Sequence, residues 1–323
     1  FKSHLMFEEL KSKIFNSRLI RKIIVLSKKT VLPGFDKLPV YYVAKFFILG
    51  IKKGLIDTKA SSIAFKFFLA IFPAIIFLLT LIPYFPVDNF REDLLEILAD
   101  LLPESAYLFA EESIVNMVTK TDGGLLSIGF IFALYLATNG IDGMLAAFKE
   151  SYNVNIERSA FKQKMLSVSL LFILTLLVII SLGAIALSQY LVYFIFDEGT
   201  LAFYAVSIGK WIIVAALCFF GISFIYYLGG NRKMKWRFFS AGSTLATVLV
   251  LIVSLGFGYY VDNFANYNKI YGSIGTIIIL MLWFYFNSFV LLLGFELNAS
   301  IQHAGGSIEK IEEKIDSEAL IPY

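Results

Sequence analysis

Four ionisable side chains lie within long apolar runs of this chain: Lys66, Asp142, Lys210 and Glu296. A charge at the centre of a membrane-spanning helix costs about 2.5–3.5 kcal/mol on insertion scales, so each one needs a partner or a water-filled cavity. Such charges are typical of salt bridges and of sites for ions, protons or charged ligands. They are the first candidates for a functional site.

Neutral polar groups accompany these charges. Asn139 lies one turn before Asp142, and Asn287 lies near the middle of another apolar run. Pro73 has no amide proton, so it frees the carbonyl of Leu69 and predicts a kink with an exposed acceptor. Together these groups predict a polar cavity that opens to the cytoplasm. Asn287 has a simpler alternative, a hydrogen bond to a neighbouring helix, which is the commoner role of an intramembrane asparagine.

The class of protein follows from composition. Of the 323 residues, 58% are hydrophobic and only 16% are charged. Soluble domains carry roughly 25% charged residues, and a soluble fold of this length has no interior large enough for so much apolar surface. Apolar runs of about 20 residues match a hydrocarbon core about 30 Å thick. The sequence predicts an all-α integral membrane protein.

Six runs are long enough to span a membrane as helices. Because they are continuously apolar, they exclude a barrel, whose strands alternate lipid-facing and lumen-facing residues. The first two runs give the weakest signal, since Lys66 and Pro73 interrupt one and Asn139 and Asp142 interrupt the other. The predicted six-helix bundle has spans at 62–85, 124–148, 165–196, 203–228, 238–260 and 273–298.

The distribution of Lys and Arg predicts the orientation, because basic connections stay in the cytoplasm. Twenty-three basic residues fall on one side of the six spans, and only Arg91, Lys120 and Lys269 fall on the other. Both termini are therefore expected in the cytoplasm, with the chain in the inner (cytoplasmic) membrane. The connection 86–123, which carries nine acidic residues, faces outward.

This topology brings charges of both signs to one depth. Lys66, Asp142 and Glu296 lie about 6, 9 and 3 Å inside the cytoplasmic face at the helical rise per residue. We expect a network between the first, second and sixth spans, although Lys66 and Glu296 alternatively extend to the interface as snorkelling side chains. Lys210, nearer the outer face, is expected to reach phosphate headgroups or an acid of the outward segment.

The segments outside the spans are predicted to be surface helices. Residues 1–59 read as amphipathic helices on anionic lipid, broken at Pro33-Gly34, with a solvated basic face as the alternative. Nucleic-acid binding is disfavoured, because no aromatic stacking platform accompanies the basic residues. The outward residues 90–118 suggest two short helices. The acidic tail 300–323 is expected to break at Gly305-Gly306 and restart at Ser307.

Small residues provide a packing device in the fifth span. Gly242, Ala246, Ser254 and Gly258 fall at multiples of four along it. Such a stripe lets another helix approach closely. We interpret it as packing within the bundle.

Three sequence motifs resemble one known family. Residues 271–276 read Tyr-Gly-Ser-Ile-Gly-Thr, and residues 292–299 read Leu-Leu-Gly-Phe-Glu-Leu-Asn-Ala. The first span is entered through Ala-Ser-Ser-Ile-Ala-Phe at 60–65 and reaches Phe72-Pro73, and a third motif runs from Ala146 to Arg158. Together they resemble the YihY/BrkB family of bacterial inner-membrane proteins, over about 60–299. Lys149 departs from the asparagine usual in that family.

The resemblance implies a six-helix membrane protein for which transport or envelope lipid handling has been proposed. With the charged residues, it favours a protein that binds or transports an amphipathic, lipid-like molecule through a polar cavity between the first, second and sixth spans. The alternative is a structural or assembly subunit of a larger envelope complex. Its protein partners would then dock on the outward 87–123 segment or on the acidic tail.

The sequence gives little support for catalysis, metal binding or nucleic-acid binding. The family was once labelled as ribonuclease BN, but no cluster of carboxylates or histidines with metal or acid–base geometry occurs in this sequence. Cys218 is the one cysteine, and His4 and His303 lie near opposite ends of the chain. We predict no enzymatic activity, catalytic residue, metal or cofactor, and no nucleic-acid partner.

The predicted topology is tested by cysteine labelling in intact cells, in a Cys218→Ser background. A Ser105→Cys variant should react with a membrane-impermeant maleimide, because residue 105 lies in the outward connection. A Ser317→Cys variant should react only after the cells are permeabilised. Labelling of Ser317→Cys from outside would exclude the six-span topology.

Overall fold

A computed structural model of the chain describes residues 18–81, 123–151, 157–194, 201–230, 237–263 and 273–319. These ranges are helical and contain no β-strand beyond an isolated bridge between Val31 and Pro39. The helices that they contain are α1 Arg18–Lys29, α2 Val40–Lys53, α3 Ile56–Leu81, α4 Gly123–Lys149, α5 Ala160–Phe194, α6 Leu201–Gly229, α7 Ala241–Asn263 and α8 Ser273–Ala319.

In the part of the chain that the structure describes, five helices are long and apolar enough to cross a membrane, and they confirm the all-α membrane class. These stretches lie in α4 to α8, at Ser127–Lys149, Ala160–Ser181, Ile208–Gly229, Ala241–Tyr260 and Ile277–Ser307. α3, which carries the first predicted span, is not among them. A membrane crossing by α3, which would bring the total to six, therefore stays a prediction. The outward helices predicted at 90–118 lie outside the described residues.

Neighbouring long helices run in opposite directions. Lys59, near the start of α3, donates to the carbonyl of Glu150 just beyond α4, whereas Phe67, two turns later, lies against Gly140. As residue numbers rise along α3, the residue numbers of the contacts on α4 fall. The two helices are therefore antiparallel. α7 and α8 show the same relation, because Gly242 contacts Asn298 and Ala246 lies against Gly294. This alternation is what a polytopic bundle requires.

Buried side chains concentrate at one end of these helices, which we call the packed end. It comprises residues 56–70, 138–149, 160–170, 221–230, 241–247 and 288–304. Phe148 and Phe295 stack there with ring centroids 3.9 Å apart, and the ring of Tyr226 meets both edge-on. On the predicted topology the packed end is cytoplasmic.

The opposite halves of the helices expose their apolar side chains. Phe132, Leu187, Trp211 and Leu255 each leave more than half of their surface accessible, as suits contact with lipid chains. A methyl group added at Gly183, Gly209, Gly256 or Gly258 would meet no atom within 4 Å. The predicted small-residue stripe therefore serves packing at Gly242 and Ala246, whereas a Cβ on Gly258 would meet no described atom within 4 Å.

α6, α7 and α8 meet around Gly294. The hydroxyl of buried Tyr226 donates to the carbonyl of Leu291 at 2.6 Å and accepts a hydrogen bond from the backbone amide of Phe295. Leu291 and Phe295 are the two ends of one turn of α8, so the hydroxyl lies within the hydrogen-bond ladder of this helix. A Cβ on Gly294 would lie 2.5 Å from this hydroxyl oxygen and 2.7 Å from the Cβ of Ala246. Only glycine fits at this position.

Side chains from other segments of the chain cap two helix ends. Asn298 Oδ1 of α8 accepts from the amide of Gly242 at 2.8 Å, at the start of α7. Arg158 donates to the carbonyls of Leu228, Gly229 and Gly230 at 3.1–3.5 Å, at the end of α6. Free amides and carbonyls at helix ends need such partners, above all next to a bilayer.

The C-terminal part of α8 corrects the predicted tail. α8 runs for 47 residues without a break at Gly305-Gly306, and Ser307 donates to the carbonyl of His303 within the helix instead of starting a new one. Ile301 and Ala304 pack against Leu38 and Val43 of the N-terminal segment. This tertiary packing outweighs the low helix propensity of two glycines.

The helix bounds also refine the predicted segments. α3 begins at Ile56, inside the predicted surface segment 1–59, and α5 begins at Ala160, five residues before the predicted span. α7 begins only at Ala241, because Ser240 acts as its N-cap through a hydrogen bond from the amide of Ser243 at 3.1 Å. A turn with Gly34 at φ +84° separates α1 from α2, as the Pro33-Gly34 break predicts.

Gly294→Ala tests the close contact of α6, α7 and α8. The added methyl group would overlap Tyr226 and Ala246, so we expect a loss of about 1–3 kcal/mol of stability in detergent, the usual cost of overpacking. Gly256→Ala is the matched control, because its methyl group would enter open space, and it should be neutral or slightly stabilising. Equal midpoints of unfolding for the two variants would contradict the packing described here.

Candidate ligand site in the membrane domain

Asp142 of α4 is bound by two polar side chains of α5. Its Oδ1 atom accepts from Gln163 Nε2 at 2.9 Å and from Ser167 Oγ at 3.3 Å. Gln163 and Ser167 lie one helical turn apart, so both face α4, and Ser167 is fully buried. The Asp142 carboxylate is thus hydrogen-bonded within the membrane domain by donors of the neighbouring helix.

Asn139, one turn before Asp142 on α4, also faces α5. Its Oδ1 atom accepts from Lys164 Nζ at 2.7 Å. The same ammonium lies 5.5 Å from the ring centre of Tyr135, a cation–π distance. Lys164 therefore has a neutral acceptor and an aromatic face as neighbours.

Lys66 of α3 also lies against α4, at Gly143, one turn after Asn139. An ideal Cβ on Gly143 would lie 2.8 Å from Lys66 Nζ, so the ammonium rests where α4 has no side chain. Among the described residues it has neither an ion-pair partner nor a hydrogen-bond acceptor. We call these side chains the polar layer: Lys66, Asn139, Asp142, Gln163, Lys164 and Ser167.

Glu296 does not join the polar layer. Its Oε2 atom accepts from Ser151 Oγ at 2.8 Å, and the residue is 3% exposed. Lys59 is the nearby cation. Burial lowers the pKa of Lys59 below its ordinary value, and the carboxylates of Glu150 and Glu296 oppose this shift. No described ion pair links Lys66, Asp142 and Glu296, so the network predicted between the first, second and sixth spans divides into two groups.

The geometry explains this division. Phe67 of α3 stacks on Phe284 of α8 with ring centroids 6.0 Å apart and also covers Gly140 of α4. These rings fill the space where α3, α4 and α8 converge. The polar side chains of α4 turn toward α5 instead.

The remaining predicted residues stand apart from the polar layer. Asn287 donates to the carbonyl of Trp283 at 2.9 Å, within its own helix, and among the described residues it bonds neither to a neighbouring helix, as was predicted, nor to the polar layer. Pro73 lies inside α3, which continues to Leu81. The ammonium of Lys210 lies 5.8 Å from the centre of the adjacent Trp211 ring.

Sequence reasoning missed the α5 half of the polar layer. It began the third span at residue 165 and so treated Lys164 as part of a basic connection. The available signal is the spacing of Gln163 and Ser167, four apart at the entry to an apolar helix. That pair presents one polar stripe to a neighbour, and Asn139 and Asp142 on α4 form its counterpart.

The polar layer carries a net positive charge. Lys66 and Lys164 contribute two cations and Asp142 one anion, and each lysine retains donors that face no carboxylate at ion-pair distance among the described residues. An ammonium binds phosphate or carboxylate oxygens through charge-assisted hydrogen bonds. This arrangement suits an anionic group.

The chain belongs to the family described as Virulence factor BrkB, which it matches over residues 49–317. The motifs covered about 60–299, and this match extends beyond both limits. It includes most of the acidic tail. It includes all six residues of the polar layer. The chain is therefore a membrane protein of this family.

Several relatives share most of this chain. It is 33% identical to the ribonuclease-like protein YfkH of Bacillus subtilis, over 75% of this chain and 89% of that protein. It is 25% identical to a UPF0761 membrane protein of Vibrio campbellii, over 79% of this chain and 82% of the relative. A UPF0761 membrane protein of Stenotrophomonas maltophilia is also 25% identical, but the match covers only 56% of its length. No solved structure is significantly similar to this chain.

The relatives' names point to a membrane protein more than to an activity. Only the Bacillus protein among these three carries a ribonuclease-like name. In the part of the chain that the structure describes, no three His, Cys, Asp or Glu residues are grouped closely enough to hold a metal ion. The absence of enzymatic activity stays a prediction.

A double-mutant cycle tests the pairing in the polar layer. Asp142→Ala and Gln163→Leu remove the two partners of one hydrogen bond to a charged group, so we expect a coupling energy of about 1–2 kcal/mol in unfolding measurements. The matched cycle pairs Asp142→Ala with Lys66→Met and should give a coupling below about 0.5 kcal/mol. Coupling of Asp142 to Lys66 as strong as to Gln163 would restore the ion pair expected from the sequence.

Proposed function

We propose that this membrane protein binds an anionic amphipathic molecule, with the anionic group at Lys66 and Lys164. One observation carries the proposal: the ammonium of Lys66 has no described partner, although it lies in an apolar helix beside Gly143. A lysine in such surroundings is costly without a counter-ion or water. A phosphate or carboxylate from the bilayer would supply that counter-ion.

The surroundings of the polar layer support an amphipathic ligand over a free anion. On α3, which carries Lys66, Phe65 and Phe72 are about half exposed, and on α4 Phe132 and Tyr135 are similarly exposed, with the ring of Tyr135 near Lys164. An alkyl chain would lie along these side chains while its headgroup bonds the ammonium groups. The ligand would thus enter sideways from the lipid and not from water.

This proposal moves the binding site from the position predicted from the sequence. The site lies between α3, α4 and α5, because aromatic rings fill the convergence of α3, α4 and α8. Transport would be a second step, in which the ligand passes along the apolar faces beyond the packed end. Binding is the step that the polar layer supports directly.

Lys66→Gln is the direct test. The full chain would be extracted with its native lipids into nanodiscs, and co-purified lipids would be quantified by mass spectrometry. Loss of one charge-assisted hydrogen bond, about 1.4 kcal/mol, should lower retention of the bound anionic lipid about tenfold. Lys162→Gln is the matched control, because Lys162 is an exposed lysine directly before Gln163 and is not part of the polar layer, and it should retain the lipid normally.

Two outcomes would count against the proposal. Equal retention by wild type, Lys66→Gln and Lys162→Gln would mean that Lys66 only extends to the interface. Co-purification of protein partners in fixed ratio, with no specific lipid in any variant, would favour a structural or assembly subunit instead.

A further inference from the structure

The N-terminal helices present a basic surface with a distinctive composition. Neither α1 nor α2 contains an acidic residue, whereas both end in paired lysines, Lys28-Lys29 and Lys52-Lys53. Asp36, in the turn between them, pairs with Arg237 of the segment before α7 at 2.9 Å. The charged side chains that α1 and α2 themselves contribute are therefore all basic.

Large apolar side chains are interspersed with these lysines on the exposed side. Val25 and Leu26 of α1 are 57% and 67% exposed, and Ile48 of α2 is 51% exposed. Lys22, Lys29, Lys45 and Lys52 are exposed among them. A purely solvated basic face needs no such apolar residues, whereas a helix in the headgroup layer uses both kinds. We call this surface the basic face.

The other side of α2 is fixed to the membrane domain. Leu38 and Val43 are buried against Ile301 and Ala304 of α8, and the ring of Phe46 meets His303 with centroids 4.6 Å apart. These residues of α8 lie at the end of the stretch Ile277–Ser307, which is apolar and long enough to cross the membrane. α2 is thereby held where a membrane-crossing helix leaves the bilayer.

α1 is fastened to α2 in turn. The ammonium of Lys28 lies 5.0 Å from the ring centre of Tyr41, and the bridge between Val31 and Pro39 closes the turn between the helices. The two helices therefore present their basic residues as one surface instead of as a free tail.

We propose that the basic face docks on the anionic headgroups of the leaflet into which the packed end inserts. Its lysines pair with lipid phosphates, and Val25, Leu26 and Ile48 insert among the upper parts of the acyl chains. Anionic leaflets attract basic segments at short range. This surface is separate from the polar layer, and it would orient the protein in its membrane whatever ligand Lys66 binds.

Lipid quenching of a single fluorophore tests this docking in the full chain. Ile48→Cys in a Cys218→Ser background would carry bimane, in nanodiscs that contain equal fractions of brominated phosphatidylglycerol or brominated phosphatidylcholine. We expect the anionic lipid to quench the probe at least about twofold more strongly than the zwitterionic one. Leu187→Cys on α5 is the matched position, exposed to lipid but far from the basic face in sequence, and both lipids should quench it equally.

Charge variants make the result specific. Adding Lys45→Gln and Lys52→Gln, or raising the salt concentration, should remove the preference for the anionic lipid at Ile48→Cys. Adding Lys149→Gln and Lys162→Gln, which neutralises two exposed lysines of other segments, should leave it intact.

Three outcomes would overturn the proposal. Absence of quenching by either lipid at Ile48→Cys would show a solvated face. Equal quenching by both lipids would show contact without selection of charge. Protection of the probe from aqueous iodide by added RNA, without quenching by lipid, would assign the basic face to a nucleic acid.

Discussion

The close approach of α7 to α8 at Gly294 is the constraint on which the packed end depends. In a bilayer, burying apolar surface between helices brings little gain, because lipid chains are as apolar as leucine. Helices therefore associate through close packing and hydrogen bonds, and Gly242, Ala246 and Gly294 permit both. The hydroxyl of Tyr226 then reaches the backbone of α8, and Asn298 accepts from the amide of Gly242 at the start of α7.

This constraint also accounts for the uneven burial of the bundle. Where small residues and hydrogen bonds between helices occur, side chains are buried and helix ends are capped. Where they are absent, as around Gly183 and Gly256, the helices expose apolar side chains to the space that lipid occupies. The polar layer lies within the packed end, near exposed apolar side chains of α3 and α4, so its cations have packed helices on one side and an apolar opening on the other.

The sequence was sufficient for the class of protein, because long apolar runs have few alternative structures. It was insufficient where contacts between distant segments determine whether a helix continues and which neighbour a side chain faces. Packing on Leu38 and Val43 keeps α8 helical through Gly305-Gly306, and no local signal reports that contact. Depth along the helices placed Lys66, Asp142 and Glu296 together, but depth says nothing about which side of a helix each residue faces. Asp142 faces α5, and Glu296 faces Ser151.

The central claim is that Lys66 and Lys164 hold the anionic group of an amphipathic molecule. The most direct measurement is a high-resolution density map of the protein in nanodiscs made from native anionic lipids. The claim predicts headgroup density within hydrogen-bond distance of Lys66 Nζ, continued by an alkyl chain along Phe65 and Phe72. A Lys66 ammonium that pairs with Asp142 or extends into water, with no lipid density beside it, would contradict the claim.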